Sequence, residues 1–269
     1  MISLVIVKYP NFVANMLIDT HTHLFASQFD NDRAQVVQDA IDKGVNTMLL
    51  PNINSESIEP MHKLCRQFPN HCFPMIGLHP CDVKSNFENE LNIIKSWLDK
   101  ERYVAIGEIG IDLYWDKSTL DIQKEAFRQQ LIWGKEYDLP VAIHIRESFD
   151  NVLEVVESLN EDKLRGVFHC FTGTVEQGKK AIEMGFMLGI GGVATFKNSG
   201  LDKTLKELPL ESLLLETDSP YLAPTPHRGQ RNESSFLPII AQKLADIYEL
   251  DIQEVAQITT HNALTLFKL

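Results

Sequence analysis

The chain has 269 residues, 44% of them hydrophobic, and a formal net charge of −12. That length suits a single α/β barrel, and the lack of any uncharged apolar window of about 18 residues argues against a membrane span. So acidic a protein has no general electrostatic grip on nucleic acid, so a phosphate-bearing substrate would need bound metal or a few local arginines.

The first stretch, "MISLVIVKYPNFVAN", lacks a basic leader and a small-residue cleavage site, which argues against secretion. Met16 stands directly before the first convincing strand. Residues 1–15 are therefore expected to be an extension, disordered or mis-assigned, ahead of one domain over 16–269. Apolar runs then follow one another: "LIDTHTHL", "NTMLLPNI", "FPMIGLHP", "YVAIGEIGID", "PVAIHIRE", "GVFHCFTG", "FMLGIGG" and "LLLETDSPY". Their nearly unbroken apolar character suits parallel strands buried on both faces. Between them lie helical spacings such as "DRAQVVQDAIDKG" and "QKEAFRQQLIWGKEYD". Gly44 and Gly185 stand where helix C-caps are expected. About eight such βα units point to a TIM barrel; a doubly wound open sheet is the competing arrangement. "SSFLPIIAQKLADIYE" and "IQEVAQITTHNALTLF" read as closing helices. No linker or repeat divides the chain. Cys65, Cys72, Cys81 and Cys170 form no C-x-x-C and read as reduced, buried thiols of a cytoplasmic protein.

In "LIDTHTHLF" an aspartate and two histidines, Asp19, His21 and His23, occupy every second position of an apolar run, and on a strand these share a face. In a TIM barrel the functional groups come from the C-terminal ends of strands. Those ends carry His21 and His23, then His79, then Glu108 and Asp112, then His144 and Arg146, then His169, then Glu216 and Asp218. Singly, each has a plain reading: a hydrogen-bonded core histidine, or a carboxylate capping the next helix. Together, around one mouth, they would leave many polar groups unsatisfied, and divalent metal neutralises the carboxylates and engages the imidazoles. His62, His71 and His261 read as structural or solvated, and His227 as a residue that could border the site.

The blocks "DTHTHL", "GLHP", "GEIGID", "IHIRE", "HCFTG", "TFKN", "LLETDSPYLAP" and "RGQRNE" occur in one order from Leu17 to the C-terminus. In these the chain resembles the TatD family of metal-dependent deoxyribonucleases, within the amidohydrolase-like TIM barrels. The resemblance implies two divalent metal ions, Mg, Mn or Zn. One would be held by His21, His23, Glu108 and Asp218, the other by Glu108, His144 and His169, with Glu108 bridging; a single metal with Glu108 as an outer partner is the alternative. Ile145 and Glu147 stand where the family often has Ser and Asp, and His227, Gln230 and Ser234 depart from its usual run after the last strand.

Metal would activate a water for attack on a phosphodiester, with Asp218 as general base and Glu108 beside it as the bridge. His79, Arg146, Arg228 and Arg231 would contact substrate, although a salt bridge for Arg146 and a solvated charge run for the other two arginines are equally simple. A nucleic acid substrate, DNA first, is expected, with exonuclease action on single-stranded ends, no membrane association and no obligate protein partner. The same metal site on the same scaffold could instead hydrolyse an ester or amide, including an aminoacyl-tRNA. A histidinol-phosphatase-like barrel also opens with Asp-x-His-x-His, but the Ser-Asp-Gly that usually follows is absent from "LFASQFD". A metal-storing or scaffold protein is a third class.

Overall fold

The computed structural model describes residues 16–159 and 164–269. The extension expected over residues 1–15 lies outside the described residues. The eight expected strands are all present: β1 Leu17–Asp19, β2 Val45–Pro51, β3 Cys72–Met75, β4 Ile106–Asp112, β5 Val141–Arg146, β6 Gly166–Phe168, β7 Phe186–Ile190 and β8 Leu213–Leu215. The helices among the described residues are α1 Arg33–Asp42, α2 Ile58–Gln67, α3 Phe87–Leu98, α4 Leu120–Glu136, α5 Phe149–Glu157, α6 Val175–Glu183, α7 Leu201–Lys206, α8 Leu237–Tyr248 and α9 Ile252–Phe267. All pairings are parallel, in the order β1-β2-β3 and β4-β5-β6-β7-β8.

Two seams join these sheets into a TIM barrel. At the first, Ile76 N–H donates to Ala105 O at 3.1 Å and Gly107 N–H to Ile76 O at 2.9 Å. At the second, Thr20 N–H reaches Leu215 O at 3.0 Å, Asp218 N–H reaches His21 O at 2.9 Å and His23 N–H reaches Ser219 O at 2.7 Å. The open-sheet alternative is thereby set aside. Local chemistry places the helix ends: Gly44 and Gly185 follow α1 and α6 with φ of 84° and 88°, a region open to glycine at no steric cost.

Most of the apolar core lies between strands and helices. A second cluster fills the barrel interior, with Ile18, Leu49, Met75, Ala142, Val167 and Leu214 packed against Ala263, Leu266 and Phe267 of α9. That helix is tied to the entry ends of the strands, because Thr260 donates to Met16 O at 2.8 Å and Asn262 to Leu213 O at 2.8 Å. It closes one end of the barrel and leaves the C-terminal ends of the strands open. No helix among the described residues is long and apolar enough to cross a membrane.

Candidate metal centre

The first strand is shorter than "LIDTHTHL" suggests. It ends at Asp19, and His21 and His23 belong to the segment just past it. The backbone there keeps one bond to β2, Thr22 N–H to Leu49 O at 3.1 Å, and on its other side pairs with the segment after β8 in the seam described above, so its N–H groups stay satisfied. Asp19 does not join the histidines. Its buried carboxylate accepts hydrogen bonds from Thr217 N–H at 2.9 Å, Thr217 Oγ1 at 2.6 Å and Ser234 Oγ at 2.6 Å. Burial pushes this carboxyl up to about 7 against those hydrogen bonds. Asp19 thus fixes the ends of β1 and β8 to each other, and Ser234, where the family run departs, takes part in that clamp.

Glu108, on β4 and 2% exposed, is the centre of the cluster. Its Oε2 lies 3.1 Å from His21 Nε2 and 3.4 Å from His23 Nε2. Its Oε1 lies 2.7 Å from His144 Nδ1, 3.4 Å from His79 Nε2 and 3.8 Å from His169 Nε2. Asp218 Oδ1 stands 3.6 Å from His23 Nε2 and 3.8 Å from His169 Nε2. Where β4 lies against His144 of β5, glycine makes the approach possible. Gly110 has φ of 142°, and a Cβ there would lie 2.1 Å from His144 O.

Two further carboxylates orient the imidazoles from behind. Asp112 Oδ2 is 2.9 Å from His144 Nε2, leaving Nδ1 toward Glu108. Glu216 Oε1 is 3.0 Å from His169 Nδ1, at ion-pair distance without hydrogen-bond alignment, and accepts from Cys170 N–H at 2.6 Å. A carboxylate behind a ligating imidazole fixes its tautomer and raises its basicity. Both residues appear among the strand-end groups of the sequence, but their roles depend on contacts across strands. Glu216 has room only because residue 189 is glycine: a Cβ there would lie 2.1 Å from Glu216 Oε2.

The donor chemistry fits divalent metal. His21 Nε2 and His23 Nε2 face each other at 3.3 Å while both face one carboxylate oxygen, a crowding of lone pairs and protons that hydrogen bonds alone serve poorly. Among the described residues, ligand atoms of His21, His23 and Glu108 lie within 4.8 Å of one another, as do those of His79, Glu108 and His144, and of His169, Cys170 and Asp218. Among the described residues, the buried Nδ1 atoms of His21 and His23 have no hydrogen-bond partner. Cys170, expected as a buried hydrophobe, is only half-buried and stands at the mouth. Burial and the nearby Asp218 carboxylate push its thiol well above the ordinary range.

Burial opposes ionisation of Glu108, but His79, His21 and His169 hold its carboxyl well below the usual range. Burial likewise opposes a charge on Asp218, and His23 and His169 outweigh it, so Asp218 is ionised at neutral pH. For His23, burial disfavours the imidazolium, but Asp218 and Glu108 raise it to about 9; for His169, Glu216 and Glu108 overcome burial and raise it to about 10. Both therefore hold protons at neutral pH in the metal-free protein, whereas a ligating imidazole must be neutral. Their folded-state values exceed the ordinary 6.5. The metal-free fold should accordingly have their full stabilisation below pH 6.5 and lose it as pH rises through 9 to 10. Metal uptake should do the opposite: release protons and strengthen with rising pH. Thermal melts from pH 6.5 to 10, with chelator and with Mn²⁺, test this; metal uptake at pH 7 without proton release would contradict it.

Positive φ angles gather at the mouth, at Glu147 (55°), Cys170 (48°), Asp218 (58°) and Leu222 (53°); such conformations persist where surrounding structure enforces them and concentrate at functional sites. The substrate-contact residues divide. His79 sits in the cluster and its Nδ1 accepts from Cys81 N–H at 3.1 Å. Arg146 forms no ion pair among the described residues, and its guanidinium stacks on Tyr114 with Cζ 3.7 Å from the ring centroid. Arg228 is exposed and stacks on Phe196 at 3.6 Å. Arg231, expected to contact substrate phosphate, is instead taken up by both Asp32 oxygens at 2.9 and 2.6 Å, Glu233 at 2.9 Å and Gln28 O at 2.8 Å. Its fork is already engaged by the Asp32 carboxylate in the two-bond geometry it would offer a phosphate, and it ties the last loop to α1. His227 stacks on Phe236 with centroids 4.1 Å apart. His62 is a core residue, bonded to Tyr103 Oη at 2.9 Å.

Residues 18–268 match the family model described as TatD related DNase. The chain is 39% identical over 255 residues to the uncharacterized metal-dependent hydrolase YabD of Bacillus subtilis, covering 94% of this chain and 100% of that one. It is 34% identical over 259 residues to a protein of Pantoea ananatis named 3′-5′ ssDNA/RNA exonuclease TatD, covering 94% and 100%. Among solved structures, the YjjV TatD homolog of Escherichia coli superposes with a TM-score of 0.90 at 28% identity, covering 96% of this chain and 100% of that one.

Proposed function

Because the chain belongs to the TatD family of metal-dependent hydrolases, we propose that it is a divalent-metal-dependent phosphodiesterase that removes nucleotides from the ends of single-stranded nucleic acid, DNA first. The observation that carries this reading is the division of Glu108: one oxygen faces His21 and His23, the other His144, His79 and His169. That division suits two ions, one held by His21, His23, Glu108 and Asp218, the other by Glu108, His144 and His169. Such ions supply a water acidic enough to attack at neutral pH and neutralise charge on the phosphate; an imidazole-rich donor set suits Zn or Mn, and phosphoryl chemistry also admits Mg.

The protein's own groups do the rest. Asp218, ionised and at the rim of the cluster, accepts the proton of the attacking water and returns it to the leaving oxygen. His79, whose Nδ1 accepts a backbone N–H, presents Nε2 as the donor toward a substrate oxygen. Arg146 is free to hold a phosphate oxygen, and exposed Arg228 a neighbouring one. A net charge of −12 gives no general attraction for a long polyanion, which favours a strand end entering the mouth over duplex tracking.

Apo-protein supplied separately with Mg²⁺, Mn²⁺ and Zn²⁺ should release mononucleotides from end-labelled single-stranded DNA. Turnover of an ester or amide panel, aminoacyl-tRNA included, with no cleavage of any strand would replace this reading by the ester or amide hydrolase.

A further inference from the structure

Five large apolar side chains are exposed among the described residues, and four of them stand on loops at the barrel mouth: Tyr114 and Trp115 after β4, Tyr221 and Leu222 after β8. Trp115 is the extreme case, 72% exposed. Exposing an indole costs burial that a core position would have provided.

The geometry around it is specific. Tyr114 and Trp115 meet edge to face, with centroids 4.8 Å apart at 89°. The Arg146 guanidinium lies over both rings, at 3.7 and 5.6 Å. Register makes this possible: Asp112 on β4 pairs with Arg146 on β5, and Leu113 N–H donates to Arg146 O at 2.9 Å. The group is also tied to the proposed metal ligands. Tyr114 N–H donates to Asp112 Oδ1 at 2.9 Å, and the other oxygen of that carboxylate holds His144 Nε2 at 2.9 Å. Arg146 itself stands two residues beyond His144 on the same strand.

We infer that Trp115, with Tyr114 and Arg146, is a stacking platform for a nucleobase of the strand whose phosphodiester lies over the metal centre; this rests on the nuclease reading above. An aromatic face serves the base, a guanidinium free of carboxylates serves its phosphate, and the Asp112–His144 link sets both at a fixed place relative to the reacting bond. Stacking is tolerant of sequence because every base has a π-face, so the platform selects single-stranded ends without selecting their sequence. It also supplies affinity that the acidic surface does not.

The test compares a short labelled oligothymidylate with the abasic strand of the same length and charge. Binding is read with Mn²⁺ in the Asp218→Asn background, with and without Trp115→Ala or Trp115→Phe. The parent should hold the base-bearing strand roughly tenfold tighter than the abasic one. Trp115→Ala should erase that difference and Trp115→Phe should keep most of it. Equal affinity for the two strands in the parent, or an undiminished difference in Trp115→Ala, overturns the platform. A dimer that dissociates on Trp115→Ala without base selectivity overturns it too and gives the patch to a second copy of the chain. Nucleotide release by protein with Asp218 intact is read alongside. Base-selective binding without release sinks the nuclease reading alone, while equal release from both strands, unchanged by Trp115→Ala, sinks the platform alone.

Discussion

Protein in which His21 and His23 are both replaced by alanine is expected to lose about one equivalent of bound metal and essentially all hydrolysis, because both imidazoles address the same oxygen of Glu108. The second ion should stay, since His144, His169 and the other Glu108 oxygen remain. The fold should also survive. The two residues lie beyond β1 rather than within it, and the seam holding that segment is made by backbone groups. Metal analysis, circular dichroism and turnover on one preparation decide the matter. Full metal content with normal turnover would remove these residues from the centre, and loss of both ions would show that the two sites fill only together.

Asp218→Asn separates proton transfer from metal binding. Asparagine keeps the size and one oxygen donor but cannot take a proton at neutral pH. Hydrolysis should fall by at least about 10²-fold, the usual scale for a general base. Much of the metal should remain, because Asp218 stands at 3.6 and 3.8 Å on the edge of the cluster while Glu108 holds its centre. The substitution suits the backbone, because a φ of 58° at this position is tolerated by asparagine as well as by aspartate; a β-branched residue there would confound the result. Near-normal turnover would take the base role from Asp218. Complete loss of metal would make it a ligand first.

Much of this protein could be read from its sequence because two kinds of information are local. Strand and helix periods give the eight βα units, the closing helices and the C-cap glycines directly. Polar residues at the ends of buried strands stand out because burying them is costly, and His21, His23, Glu108, His144, His169 and Asp218 were all visible on that ground. Where β1 ends was not visible, since the segment past Asp19 adds the chain after β8 as a partner while keeping one bond to β2, and a strand pattern does not name its partners.

The remaining roles came only with closure of the barrel. Which oxygen of Glu108 faces which histidine depends on β4 pairing with β5 and closing into one barrel with the ends of β1 and β6. Asp112 and Glu216 look like ordinary strand-end carboxylates until His144 and His169 stand 2.9 and 3.0 Å away. Arg231 looks like a phosphate ligand until Asp32, 199 residues earlier, accepts from both its Nη1 and its Nη2. Trp115 lies in the bend between β4 and the next helix, where sequence alone would equally well bury it, and it is 72% exposed. Residue type and period are properties of a few neighbouring positions, whereas hydrogen-bond and ion-pair partners are chosen among groups far apart in the chain, and only the folded barrel sets those distances.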